Sequence, residues 1–246
     1  MAVGVFTAAG CGSAPDPETA RKFQEAEELF AAAQSPMDFV QAANLYQEIL
    51  DAGFESGVVL YNQGNAWMQA GHKGRAIASY RQAKRHLPRD PYLDANLKQA
   101  LSIGSAAPKT PLADYIFFWQ QSVSYMEKAV IVTVLLLITV LCALAAQLKS
   151  DIRALRRITY VCLIATLVMG ASLARDWLNY DCTQHAVVLT ETIARKGGAE
   201  SYEPAFTQPL NEGREGVVLS RTNDWVQIQF GESAAGWLPA RNCTLY

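Results

Sequence analysis

Residues that perform chemistry are scarce in this chain. The three histidines, His72, His86 and His185, fall in separate stretches with no cysteine or carboxylate at metal-ligand spacing. The five cysteines form no C-x-x-C pair, which argues against a thioredoxin-like redox role. No phosphate-binding glycine loop is present, because Gly71 and Gly74 lie in a turn between two helical stretches. No serine sits in a nucleophile elbow. The formal net charge is only −2, without the basic excess that a nucleic-acid partner requires. Low-complexity tracts are absent, and the one obvious linker is "IGSAAPKTP" at Ile103 to Pro111. These absences point away from an enzyme, a metal site, a cofactor and nucleic acid.

What the chain does have is segregated hydrophobicity. Ala129 to Leu148 holds no formal charge, and twenty residues at about 1.5 Å each match the roughly 30 Å core of a bilayer. Ile158 to Ala174 is a second uncharged run. Neither carries the polar stripe of a soluble core helix, the competing reading. Between them, "KSDIRALRR" sets Lys149, Arg153, Arg156 and Arg157 against Asp151. A short basic loop stays cytoplasmic, so both long ends are expected outside the cytoplasm, which in a didermal bacterium means the periplasm. Phe117, Phe118, Trp119 and Tyr125 before the first run, with Trp177 and Tyr180 after the second, suit the outer headgroup zone. No charge falls inside either run, which disfavours an ion path. Thr139 and Ala143, with Thr166, Gly170 and Ala174, recur at four-residue spacing, either as a helix seam or as small residues facing lipid. Cys142 and Cys162 lie within the runs, where a thiol packs as a small apolar group.

Near the start, Ala8-Ala9-Gly10-Cys11 resembles a lipobox, making Cys11 a lipidation candidate. The ten residues before it lack Lys and Arg, so a signal peptide would have to begin upstream of Met1. The outward N-terminus implied by the basic loop agrees with lipidation.

From Gly57 to Asp90 the residues Leu60, Gly64, Trp67, Ala76, Tyr80, Ala83 and Pro88 follow the spacing of a 34-residue tetratricopeptide unit. Gly64 and Ala76 would let two antiparallel helices cross closely, with Trp67 and Tyr80 filling the space beside them. One period earlier stand Ala42, Tyr46 and Ile49, with Phe30 at the glycine position. Asp90 to Ile103 reads as a terminal helix, with Asp90 as N-cap and Pro91 in the first turn. The expectation is a short α-solenoid; a generic helical bundle is the alternative. Such repeats bind protein partners, and repeat position makes Val58, Tyr61, Asn65, Met68 and Gln69 the groove candidates. Glu27, Tyr61 and Tyr92 stand where the version that clamps a peptide carboxylate uses cations.

After the second run the period changes to two. Ala186 to Ile193, Gly216 to Ser220, Trp225 to Phe230 and Gly236 to Pro239 read as short strands between turns. Together, "LNEGREGVVLS", "WVQIQF" and "GWLP" resemble a bacterial SH3-like domain, a small β-barrel, over about Gln184 to Tyr246. Trp225 and Trp237 either line a ligand groove or fill the small module's core and rim. Cys182 and Cys243 flank the module and form a candidate disulfide in an oxidising compartment.

The order of parts divides the chain into 1–18 (lipobox-like segment), 19–103 (repeats), 104–128 (linker and interfacial segment), 129–148 (first span), 149–157 (basic loop), 158–174 (second span) and 184–246 (SH3-like module). With "YNQGNAWMQAGHKGRAIASYRQAKRHLPRDPYLDANLKQA", this order resembles the BatE family of the bacterial aerotolerance operon. That resemblance implies a non-enzymatic scaffold in envelope or oxidative stress tolerance. Its implied partners are von Willebrand factor A-domain membrane proteins and a MoxR-type ATPase. A cell-wall binding or sensing module, taking peptidoglycan through the SH3-like domain, is the second expectation.

Overall fold

The structure is a computed structural model that describes residues 15–102, 118–148, 153–180, 182–231 and 234–246. Cys11 lies outside the described residues. The described parts are mostly helical, with a small antiparallel sheet and two helices long and apolar enough to cross a bilayer. They fall into two compact units, one drawn from 1–110 and 183–246, the other from 111–182.

The first unit begins with five helices: α1 (Pro17–Ala32), α2 (Pro36–Asp51), α3 (Gly57–Gln69), α4 (Lys73–His86) and α5 (Pro91–Ser102). Local chemistry sets most of their starts. The Asp16 carboxylate accepts from the N–H groups of Glu18 and Thr19 at 2.9 and 3.0 Å. Ser35 and Asp38 form a reciprocal capping box. Asp90 caps α5 through Tyr92 N–H and Leu93 N–H at 2.8 and 3.0 Å. These caps satisfy amides that a helix leaves unpaired.

Two stops are built alike. After α2, Gly53 N–H donates to Leu50 C=O and Phe54 N–H to Ile49 C=O. After α3, Gly71 N–H donates to Met68 C=O and His72 N–H to Trp67 C=O. Both are Schellman closures, and they need the left-handed φ of Gly53 (88°) and Gly71 (84°).

Ala42, Tyr46, Ile49, Ala76, Ile77 and Tyr80 are buried between these helices. Gly64 faces the Tyr80 ring so closely that a Cβ there would sit 2.5 Å from it. The expected close crossing of α3 and α4 is therefore present.

The sheet comprises β1 (His185–Val188), β2 (Glu215–Arg221), β3 (Trp225–Phe230), β4 (Ala234–Pro239) and β5 (Cys243–Leu245). All pairs are antiparallel, in the order β4-β3-β2-β1-β5. Val226, Ile228, Phe230 and Leu238 point into one apolar core with Ala186, Val188 and Cys243. The sheet is open, because β4 and β5 lie at opposite edges with a 3-10 turn, Ala240–Asn242, between them in the chain. The outer side of β4 is met by Arg195, which exchanges two 2.8 Å backbone bonds with Trp237. The strand expected to run on to Ile193 stops at Val188; Thr192 instead pairs singly with Leu210.

The second unit contains α6 (Tyr125–Leu148) and α7 (Arg153–Tyr180), preceded by a 3-10 turn at Phe118–Gln121. At 24 residues, α6 is about 36 Å long. Its apolar residues, such as Val130, Leu136 and Leu141, are largely exposed, as are Val161, Ile164 and Leu167 on α7. Thr139 and Thr166 meet on the seam with their hydroxyls 3.4 Å apart, whereas Ala174 is exposed.

The helices run beyond the uncharged stretches and bury an ion pair. Lys128 Nζ lies 2.6 Å from Asp176 Oδ2, with side chains 1% and 6% exposed. Gln120 joins them, its side-chain amide donating to Asp176 and its backbone carbonyl accepting from Lys128. The Ser172 hydroxyl donates to Gln120 and accepts from the Trp119 indole. Two charges that flank the apolar runs in sequence are thus brought together inside the hairpin.

Candidate functional site

The expected groove residues all lie on α3, in two different situations. Val58 and Gln69 are exposed, while Tyr61, Asn65 and Met68 are half-buried. Asn65 Oδ1 accepts from the Tyr80 hydroxyl at 2.9 Å and from Asn96 Nδ2 at 2.8 Å. Asn96 Nδ2 also donates to the Tyr61 hydroxyl at 3.2 Å. Tyr61 and Asn65 are therefore parts of a polar bridge across α3, α4 and α5. Burial, then the neighbouring Tyr61, pushes the Tyr80 phenol above its ordinary range, against the Asn96 hydrogen bond. Tyr92 on α5 is 71% exposed, leaving an amide and aromatic surface along α3 and α5.

Trp225 and Trp237 are both half-buried, outside the apolar core formed by Val226, Ile228, Phe230 and Leu238. Gly198 covers them, with its missing Cβ position 3.5 Å from the Trp237 ring and 3.6 Å from Trp225 Cβ. Beside Trp225 is a shallow cleft of about 560 Å³, bounded by Glu200, Asp224, Pro239 and Arg241.

Cys182 and Cys243 are both free cysteines, contrary to the expected disulfide. Cys182 is exposed, whereas Cys243 is buried in the sheet core, with its Sγ 3.6 Å from Ala240 C=O. Burial raises the Cys243 thiol pKa, with Arg221 opposing. That thiol belongs to the packing of the sheet.

The principal arrangement that the sequence did not announce joins helices to sheet within the first unit. Arg81 of α4 grips Glu215 of β2 with two parallel bonds, Nε to Oε1 at 2.7 Å and Nη2 to Oε2 at 2.8 Å. The Tyr246 hydroxyl donates to the same carboxylate at 2.8 Å, and its ring stacks on His185. Burial alone would raise the Glu215 pKa; the Arg81 bonds and charge, then Tyr246 and His185, hold it below the usual carboxylate range. Bidentate pairing of this kind fixes orientation as well as distance.

Further along the junction, α4 starts at His72 without a side-chain cap of its own. Glu212 supplies one, its Oε1 accepting from Gly74 N–H at 2.8 Å. Lys73 lies beside it, with its ammonium pKa lowered by burial against the attraction of Glu212. At Gly74 a Cβ would approach Val188 O to 2.5 Å, so only glycine lets α4 come this near β1. Val187 joins the helical core, while Ala186 and Val188 on the opposite side of β1 join the sheet core. The strand is buried on both faces.

Among the described residues, no group of three or more His, Cys, Asp or Glu is placed to hold a metal ion. Comparison with protein-family models, with curated proteins and with solved structures finds no match to this chain.

Proposed function

We propose that this chain is a non-enzymatic, membrane-anchored scaffold, in which α1–α5 act as a tetratricopeptide solenoid and β1–β5 as an SH3-like module. The observation that supports the proposal is the Arg81–Glu215 pair, which joins α4 to β2 within one compact unit. The fused segments precede and follow the two bilayer-length helices in the chain. A unit assembled from both must lie on one side of any membrane that the hairpin crosses. The basic residues Arg153, Arg156 and Arg157 at the start of α7 favour the cytoplasm for the opposite side, and so the periplasm of a bacterial inner-membrane protein for the unit.

By its resemblance to BatE, the scaffold would meet von Willebrand factor A-domain membrane proteins and a MoxR-type ATPase system, in envelope or oxidative stress tolerance. The surface of Val58, Tyr61, Met68 and Gln69 is the proposed contact, and lipidation of Cys11 would add a second anchor. Co-purification from cross-linked membranes tests the contact. Val58→Glu with Gln69→Arg should remove a partner that the native chain retains, and an unchanged partner set refutes the groove assignment.

The cleft at Trp225 supports a second reading, in which the module binds peptidoglycan between an indole and the Arg241 and Glu200 side chains. Full-length protein should then be retained on purified wall material and lose retention on Trp225→Ala. Absence of retention by the native chain removes this reading.

A further inference from the structure

A second opening in the first unit lies away from α3's exposed residues. It is a cleft of about 610 Å³ between α2, α4 and the last strand. One wall is a stripe of α4, Arg75, Ser79 and Gln82, and another a stripe of α2, Asn44, Gln47 and Asp51. These spacings place each set on a single helix face. The remaining wall is β5 itself, through Cys243, Thr244 and Leu245.

The register of β5 determines what that wall presents. His185 and Tyr246 exchange both backbone bonds, and Leu189 N–H donates to Asn242 C=O. In an antiparallel pair such residues alternate with ones whose backbone groups point away. Ala186 opposite Leu245 and Val188 opposite Cys243 are the alternate pairs. Ala186 and Val188 turn theirs toward β2 and the residue before it, where Val188 N–H donates to Arg214 C=O. Leu245 N–H, Leu245 C=O and Cys243 C=O accordingly point to the outer edge; Cys243 N–H is used by Ala240 C=O. Among the described residues no strand pairs with that edge, because β5 is last in the sheet order.

We infer that this edge is a docking site for an extended peptide segment of a partner protein, added as a sixth strand beside β5. An edge with backbone groups at strand spacing is completed by another backbone. The opposing walls suit a peptide rather than an amphipathic helix, because the amides of Asn44, Gln47, Gln63 and Gln82 outnumber the apolar Leu50, Trp67 and Ala78. Gln47, Gln63 and Ser79 are linked by hydrogen bonds of 2.8 and 2.9 Å, which hold these polar groups in place.

Charge gives the peptide a direction. Arg75, its guanidinium 4.6 Å over the Trp67 ring, marks the start of α4. Glu55, paired with His86 at 3.2 Å, marks the other end with Asp51, about 16 Å along the helix. The peptide would place an acidic residue at the Arg75 end and a basic one toward Asp51. The site is independent of the α3 contact proposed above, so either can fail alone.

The test uses the full chain in lipid nanodiscs, a phage-displayed random octapeptide library, and the recovered peptide made synthetically. In the free chain, Leu245 N–H should exchange rapidly with deuterium and slow at least tenfold when the peptide binds. N-methylation of alternate peptide amides should weaken binding at least tenfold in one register and little in the other. Gln82→Trp should abolish binding, and Val58→Glu should leave it unchanged. Recovery of no peptide, binding indifferent to methylation in both registers, loss on Val58→Glu alone, or protection of Leu245 only by a soluble peptidoglycan fragment would each overturn the inference.

Discussion

Replacing Arg81 with alanine tests the helix–sheet junction most sharply. Arg81 is 33% exposed and Glu215 20% exposed, with two bonds of 2.7 and 2.8 Å between them. Removing one partner of a fully buried pair costs about 3–5 kcal/mol, because the other charge stays behind unpaired. Partial exposure screens this pair, which lowers the expected loss to about 2–3 kcal/mol. The pH dependence should change sign. In the native chain Glu215 titrates below the ordinary value of 4.5, so its contribution is complete above that value and drains away as pH falls through the folded pKa. Without Arg81, burial is the largest remaining influence and lifts the folded pKa above the unfolded one. Protonation then stabilises the variant, and its deficit relative to the native chain narrows as pH falls below about 5.

The assay is urea unfolding of the full chain, followed by exchange of the Cys243 thiol with a dipyridyl disulfide, which reacts at acid as well as neutral pH, and mass spectrometry of its peptide. That thiol is buried in the sheet core and labels only on opening. Arg81→Lys should recover part of the loss as a single-point donor. A deficit below about 0.5 kcal/mol, or one equally large at pH 4 and pH 7, would refute the reasoning.

Three further outcomes follow from close approaches and buried charge. Gly74→Ala sets a Cβ against the backbone of Val188 and should cost about 1–3 kcal/mol in the same assay, since a main-chain oxygen cannot step aside. Gly71→Ala meets no neighbouring atom within 4 Å but must adopt φ of 84°; it should lower stability by about 1–2 kcal/mol, with Gly71→Asn losing less. Lys128→Met leaves Asp176 in the hairpin without its cation; detergent-denaturation midpoints should show a loss of about 3–5 kcal/mol, eased by Asp176→Asn on the same chain.

The sequence revealed what neighbouring residues decide and missed what distant ones do. Gly64 and Tyr80 are near neighbours in the chain, so their spacing announced the crossing of α3 and α4. Asp90 and Pro91 announced the start of α5 in the same way. Arg81 and Glu215 are 134 residues apart and Gly74 and Glu212 138, and no local periodicity links them. One signal was present: "AVVL" from Ala186 is a continuous apolar run, the mark of a strand covered on both faces. The α4 N-terminus gave another, since no side chain of its own sequence caps it. Lys128 and Asp176 were visible as flanking charges, but their pairing depends on the helices running past the apolar stretches. The cleft beside β5 depends on sheet order, which strand-by-strand reading does not supply.

The central claim is that the helices and the sheet form one folded unit, though the chain between them holds the two bilayer-length helices. Amide hydrogen exchange of the full chain in nanodiscs tests it directly, comparing native protein with Arg81→Ala. The account predicts that segments 73–86 and 185–188 share one opening free energy in the native chain and lose protection together in the variant. Independent opening energies in the native chain, or a loss confined to one segment, would contradict it.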